Sequence, residues 1–208
     1  MSIKVLICDD DSLIRESLKI ILPLKGDIEI MGEASNGRKC IDFCIENQVD
    51  VALIDIRMPI MNGVEAVREI VKETKTKCLV LTTFDEEDYI NEALSYGAKG
   101  YILKNNSPEQ IANSIVAVYN NTIVINENIL GKLHGPGKEV EPEIKNYDFT
   151  DREKEIIKAI SEGLSNKEIS GKLFISEGTI RNYITTILDK TGLEHRTALA
   201  VNYLKGKL

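Results

Sequence analysis

The chain has little of what marks several protein classes. Its 208 residues include 14 Gly and 5 Pro, too few for a collagen-like or low-complexity chain. Only two histidines occur, His134 and His195, so no His-rich metal cluster is available. No apolar run reaches the ~18 residues of a membrane span, because Lys, Asp or Glu breaks every stretch. Asp9, Asp10 and Asp11 come too early for the apolar core of a secretion signal. The four cysteines, Cys8, Cys40, Cys44 and Cys78, crowd into the first half among apolar neighbours and without CxxC spacing. They read as buried free thiols of a reducing cytosol, not as zinc ligands or a disulfide framework. A cytoplasmic location and no membrane association are expected.

What is present is ordinary for a globular chain: 43% hydrophobic and 28% charged residues. At roughly 100–200 residues per domain, the length allows one large domain or two small ones. The net charge of −7 is unevenly spread. Residues 1–121 carry 13 Lys/Arg against 20 Asp/Glu, residues 122–148 carry 3 against 5, and residues 149–208 carry 10 against 8. An acidic first half and a slightly basic end suggest two domains with different partners.

The first half alternates two kinds of segment. Ile3–Cys8, Ile28–Gly32, Val51–Asp55, Cys78–Thr82 and Gly100–Leu103 are short, apolar and mostly β-branched, as in strands buried on both faces of a parallel sheet. Helical patterns fit Ser12–Leu22, Arg38–Glu46, Val64–Glu73, Glu86–Tyr96 and Pro108–Tyr119. Asp11 is positioned to cap the first, and Ser107-Pro108-Glu109-Gln110 is a capping box that opens the last. The expected architecture is α/β, a doubly wound five-stranded parallel sheet, with its site at the carboxyl ends of the strands. His134–Asp148, with two Gly, two Pro and mixed charge, reads as a linker, preceded by a short helix around Glu127–Leu133. From Thr150 the pattern is helical throughout. Two further capping boxes, Thr150-Asp151-Arg152-Glu153 and Ser165-Asn166-Lys167-Glu168, and a cap at Ser176 open three helices, and a fourth spans roughly Arg196–Leu204. That smaller all-α unit fits a helix-turn-helix. The expected organisation is therefore 1–121, a connecting segment and linker over 122–148, and 149–208.

Asp9 and Asp10 follow the first strand and Asp55 ends the third, and in a doubly wound sheet those ends are neighbours. Three carboxylates in one crevice repel one another. Protonation or a hard divalent cation such as Mg2+ relieves the repulsion. Lys104, after the fifth strand, reaches the same mouth, and Thr82, at the end of the fourth, offers a hydroxyl. Carboxylates, a metal, one Lys and one hydroxyl suit phosphoryl transfer, with a carboxylate as nucleophile.

Residues 1–121 closely resemble the receiver domain of bacterial two-component response regulators. The resemblance rests on Val5-Leu6-Ile7-Cys8-Asp9-Asp10-Asp11, on Val51 to Pro59 with Asn62-Gly63, on Leu81-Thr82-Thr83, and on Gly97-Ala98-Lys99-Gly100-Tyr101-Ile102-Leu103-Lys104. It implies a flavodoxin-like fold with Asp55 as phosphoacceptor. It also implies Mg2+ held by Asp9, mainly through water, by Asp10 directly, by Asp55 and by the backbone carbonyl of Arg57. Thr82 matches the hydroxyl that moves to the phosphoryl group, Lys104 the cation that pairs with it, and Tyr101 an aromatic switch that turns inward on activation. Asn105 follows Lys104 where many receivers have Pro, so a cis-Pro bond is not expected there.

In Ser176–Lys190, Ile180, Ile184, Ile187 and Leu188 share one face, which leaves Thr179, Arg181, Asn182 and Thr185 exposed. Exposed donors at the start of a capped helix are what a major-groove reader needs. Glu177, Arg181, Asp189 and Lys190 sum to zero charge, so periodicity alone fits a helical interaction module equally well. Phe149–Leu208 resembles the LuxR-type helix-turn-helix domain. The resemblance rests on Thr150-Asp151-Arg152-Glu153, Gly163 to Ile169, Ser176 to Arg181 and Lys190-Thr191-Gly192-Leu193. It implies double-stranded DNA as a partner, with Lys167 and Lys172 on phosphates. Thr185 stands where a second basic residue is often found. Receiver plus this module is the NarL/FixJ type of regulator. The resemblance implies phosphorylation by a sensor histidine kinase, homodimerisation when phosphorylated, transcription regulation, and no turnover of a separate substrate. A rival from another class is a phosphatase of the haloacid dehalogenase type, with Asp9 as nucleophile and Asp11 as acid/base. It leaves Asp55-Ile56-Arg57-Met58-Pro59 and the C-terminal domain unexplained.

Overall fold

The carboxyl ends of the central strands converge on one acidic crevice, and the topology of the sheet brings them there. The computed structural model describes residues 2–83, 87–125 and 147–208; the side chains of residues 87 and 88 lie outside the description. The strands are β1 (Ile3–Cys8), β2 (Ile28–Ala34), β3 (Val51–Ile54), β4 (Lys77–Thr82), β5 (Gly100–Leu103) and β6 (Val124–Ile125). They form one parallel sheet in the order β2-β1-β3-β4-β5-β6. The helices between them are α1 (Ser12–Ile21), α2 (Gly37–Glu46), α3 (Gly63–Glu73), α4 (Glu87–Ser95) and α5 (Pro108–Tyr119).

Strand alternation explains the continuous apolar runs. Val5, Ile7, Leu53, Leu79, Leu81 and Ile102 pack against Leu18, Ile111, Ile115 and Val118 of α1 and α5 on one face. Leu6, Cys8, Ala52, Ile54, Val80 and Tyr101 pack against α2, α3 and α4 on the other. Each fully buried aliphatic side chain contributes about 1.5–3 kcal/mol, so both faces carry the fold. The four cysteines are free and buried, all in the second of these layers.

The sixth strand corrects the expected count of five. Val124 and Ile125 pair with Gly100 and Tyr101 inside the segment expected to be connector. The chain turns into it through Asn121, at φ +65°, and Gly100 admits the Val124 carbonyl, which a Cβ there would meet at 2.8 Å. Two residues are too short to announce themselves by pattern. The expected helix around Glu127–Leu133 and most of the expected linker lie outside the described residues.

The C-terminal unit contains α6 (Asp151–Ser161), α7 (Asn166–Leu173), α8 (Glu177–Thr191) and α9 (Arg196–Leu204). The expected capping boxes form at Thr150/Glu153 and Ser165/Glu168. Phe174 takes the left-handed conformation at φ +55° and makes the sharp turn between α7 and α8. Its core gathers Ile156, Ile160, Ile169, Ile180, Ile187, Leu199 and Tyr203. Lys190 fastens the far end of α8 to the start of α6, donating to Glu153 Oε2 at 2.8 Å and to the Asp148 carbonyl at 2.9 Å.

The two units touch. Val201 of α9 is buried in the layer formed by Ala93 and Leu94 of α4, and His195 stacks against Gly97.

Candidate functional site

Backbone pairing puts the acidic groups together. The Asp55 N–H donates to the Cys8 carbonyl at 2.8 Å, and the Asp9 N–H to the Ala34 carbonyl at 3.0 Å. Ligand oxygens of Asp9, Asp10 and Asp55 lie within 4.8 Å of one another, with Asp9 and Asp55 buried and Asp10 exposed. Lys104 Nζ bridges Asp9 Oδ2 at 2.6 Å and Asp55 Oδ2 at 3.0 Å. Lys104 is itself placed by its N–H, which donates to the Thr82 carbonyl at 2.7 Å. Thr82 is fully buried beside Leu103 in the ladder. Tyr101 sits two residues before Leu103, fully buried, in the layer under α2, α3 and α4. Arg57 lies two residues beyond Asp55 with an exposed side chain. Asp9, Asp10, Asp55 and Lys104 are thus brought into contact, with Thr82 and Tyr101 on adjoining strands.

The electrostatics follow from this packing. Burial pushes the Asp55 carboxyl above its usual value; the Lys104 hydrogen bond opposes that shift and the Asp9 charge adds to it. Burial pulls Lys104 down, but its hydrogen bonds to Asp9 and Asp55 outweigh it and the net shift is upward. Three carboxylates against one ammonium leave a net negative pocket. Asp55 Oδ1 is buried without a hydrogen-bond partner. An orphaned carboxylate oxygen beside two further carboxylates fits a hard divalent cation such as Mg2+.

Arg15 is a residue the sequence reading missed. Its Nη1 donates to the carbonyls of Asp9 at 2.8 Å and Asp10 at 3.1 Å and so pins the acidic loop. The available signal was its place one turn into α1. Asp11, the acid/base of the phosphatase reading, is instead the N-cap of α1, accepting from the Leu13 N–H at 2.8 Å.

The second candidate surface is α8. Thr179, Arg181, Asn182 and Thr185 are all exposed, while Ile180 and Ile187 are buried. Some hydroxyls are already engaged: Thr179 Oγ1 lies 2.8 Å from Ser176 Oγ in the cap, and Thr185 Oγ1 donates to the Arg181 carbonyl at 3.1 Å. Lys167 is exposed at the start of α7. Lys172 is paired with Glu162 at 2.6 Å, a bond the sequence did not disclose. Helix α7 is oriented from the far side by Arg196, which donates to Asn166 Oδ1 at 3.0 Å and to the Leu164 carbonyl at 2.7 Å. No helix among the described residues is long and apolar enough to cross a membrane.

Residues 5–116 match the family of response regulator receiver domains, and residues 148–202 match the bacterial regulatory proteins of the luxR family. The chain is 36% identical to the transcriptional regulatory protein DesR of Bacillus subtilis (strain 168), across 93% of this chain and 92% of that protein. It is also 36% identical to LiaR of the same organism, across 96% and 95%. Among solved structures it is similar to the response regulator ChrA of a heme-sensing two-component system, at 31% identity and TM-score 0.56, across 97% of this chain and 96% of that one. A structure of RcsB dimers on DNA shares the fold at 22% identity and TM-score 0.58, across 98% of both chains.

Proposed function

The chain belongs to the two-component response regulators that join a receiver domain to a LuxR-type helix-turn-helix, and from that premise we propose that Asp55 is its phosphoacceptor. Residues 1–121 act as the phosphoacceptor unit, 122–148 as connector, and 149–208 as the unit that binds double-stranded DNA to regulate transcription in the cytoplasm. The family regulates transcription; it does not turn over metabolites.

The observation that carries the reading is the Asp55 carboxylate, buried at the floor of the pocket with one oxygen tied to Lys104 and the other unpartnered. One Asp55 carboxylate oxygen attacks phosphorus of a phosphohistidine on a sensor kinase, or of a small phosphodonor, and the other stays available to a cation. The new O–P bond forms as the P–N bond breaks, and the imidazole leaves with that electron pair. Asp9, Asp10, Asp55 and the Arg57 carbonyl are the groups that would hold Mg2+. Bound there, the ion supplies neutralisation of phosphoryl charge. Lys104, freed from one carboxylate oxygen, pairs with the phosphoryl oxygens. Thr82 donates its hydroxyl to the same group, and Tyr101, already inward, fills the space behind it. Phosphorylation then promotes a homodimer, because one small helical unit covers too little DNA for strong specificity.

The test is incubation with acetyl phosphate and Mg2+, followed by mapping of the acid-labile adduct. It is expected on Asp55 and absent in Asp55→Asn. An adduct on Asp9 that persists in Asp55→Asn overturns the assignment.

A further inference from the structure

We propose that Ile60 is a docking residue for the protein that carries the phosphohistidine, one of two apolar lips that seat that partner over Asp55. The inference rests on the phosphoacceptor reading above and goes beyond it, from the acceptor to the surface that presents the donor.

The loop between β3 and α3 holds the unusual backbone. The Met61 N–H donates to the Pro59 carbonyl at 2.8 Å, closing a three-residue turn around Ile60, whose φ is +72°. A hydrogen bond from i+2 back to i around a residue of positive φ is the rare and strained form of the γ-turn. A β-branched residue is the least suited to it, since its Cβ substituents crowd the backbone in the left-handed region. Gly or Asn would sit there with little strain.

The loop enforces the conformation from both sides. The Gly37 N–H donates to the Met61 carbonyl at 3.1 Å, and the Gly63 N–H to the Ile56 carbonyl at 2.8 Å. Asn62 and Glu65 close a capping box immediately after. Gly63 passes so close to Asp55 that a Cβ would fall 2.0 Å from the Asp55 carbonyl oxygen. Ile60 is therefore held where it is by the same contacts that seat Asp55.

Nothing in the fold uses its side chain. Ile60 is 86% exposed. A strained backbone and a solvated aliphatic group are two costs that one substitution would remove. Strain of this kind marks places where function sets the residue.

Its position says what the contact is for. Helices α1 and α3 pack on opposite faces of the sheet, so the β1–α1 and β3–α3 loops flank the pocket from two sides. On the β1–α1 side stands Leu13, 74% exposed in the first turn of α1, just past Asp9, Asp10 and Asp11. Between these apolar lips the pocket is acidic, and Asp55 is only 6% exposed at its floor. An anionic phosphoryl group is repelled on approach. A partner that brings it down in line with Asp55 needs attraction from uncharged contacts at the rim. A phosphohistidine on a helix with apolar neighbours meets that need. A small phosphodonor has nothing to lay on the lips.

The experiment compares two donors on the full-length chain. One is acetyl phosphate. The other is the autophosphorylated catalytic core of whichever sensor kinase of the source organism is the fastest donor to the unaltered chain. Ile60→Gly and Ile60→Asn are expected to slow transfer from subsaturating kinase at least tenfold, to change acetyl phosphate labelling less than twofold, and to melt no lower than the parent. Ile60→Met, which keeps an apolar side chain, is expected to retain most of the kinase rate. Unchanged kinase transfer in both Ile60→Gly and Ile60→Asn would overturn the proposal. So would equal losses from both donors, which would make Ile60 part of the pocket's shape. Loss of concentration-dependent self-association with kinase transfer intact would assign the lip to a second copy and also overturn it. Failure of acetyl phosphate to label Asp55 in the parent chain would sink the phosphoacceptor reading itself, a separate result.

Discussion

Lys104 Nζ lies closer to Asp9, at 2.6 Å, than to Asp55, at 3.0 Å. The lysine is thus a clasp between two carboxylates as well as a partner waiting for a phosphoryl group. Removing it leaves buried like charges facing each other.

Lys104→Met is therefore expected to destabilise the metal-free chain by about 3–5 kcal/mol, the usual cost of stranding a buried charge. Urea unfolding in a chelating buffer measures this. Because the Lys104 pKa is raised in the folded state, its contribution is intact below its ordinary 10.5 and is lost only as pH rises beyond the shifted value. Added Mg2+ is expected to stabilise the variant more than the parent. An equal response to Mg2+ in both would show that the lysine does not share the metal's charge-balancing role.

Much of this site was legible beforehand because each component carries its own local signature. Asp9, Asp10, Asp55, Thr82 and Lys104 all sit at strand ends, and a parallel sheet gathers strand ends by its topology alone. Residues acting through long-range contact left no such signature. Arg15 reaches the Asp9 and Asp10 carbonyls from a helix surface, where an arginine looks like a solvated one. Lys172 looked like a phosphate contact until the fold brought Glu162 to it. The left-handed φ of Ile60 depends on the Gly37 and Gly63 hydrogen bonds, neither of which is local to it. Strand β6 is decided by the space above Gly100, not by the apolarity of two residues.

On DNA the three basic positions should behave differently. Arg181 is exposed one turn past the Ser176 cap and its charge has no recorded partner among the described residues. Arg181→Ala is expected to cost on the order of 1–3 kcal/mol on a cognate duplex and much less on scrambled DNA. Lys167→Ala should weaken both duplexes alike and reduce the salt dependence by about one unit of slope. Lys172→Ala should fall short of that, since Lys172 must first leave Glu162; Glu162→Gln should then strengthen binding slightly. Salt titrations on both duplexes decide. Equal losses on the two duplexes for Arg181→Ala would reduce it to a backbone contact, leaving base readout to Asn182, Thr185 or DNA shape.

The junction between the two units carries a charge imbalance that should make their association pH-dependent. The apolar part is sound: Val201 is buried against Ala93 and Leu94. The polar part is not. Burial, with the nearby Arg196, lowers Lys99 to about 8, and burial with the Lys99 charge lowers His195. Arg68 and Lys72 line the same cleft, and the anion recorded near His195 is the largely exposed Glu194, at 3.9 Å. For a base whose pKa is depressed on docking, the penalty is fully present below the docked value and relieved as pH rises to the free value. Docking should therefore be weakest in mild acid, strengthen as pH rises to the ordinary His value of 6.5, and strengthen again between about 8 and the ordinary Lys value of 10.5. The radius of gyration of the unphosphorylated chain by small-angle scattering is expected to be larger at pH 5.5 than at pH 7.5. His195→Phe keeps a ring on Gly97 without the titrating nitrogen and should flatten that step. Gly97→Ala is the complementary change. Its Cβ would meet the His195 ring at 2.9–3.1 Å, at φ +97°, so the expanded form should persist at every pH. The α8 face stays exposed while α9 is covered by the receiver. Opening the junction should therefore alter self-association more than intrinsic affinity for a single half-site. Compact scattering from Gly97→Ala across the whole range would show that the junction is held elsewhere.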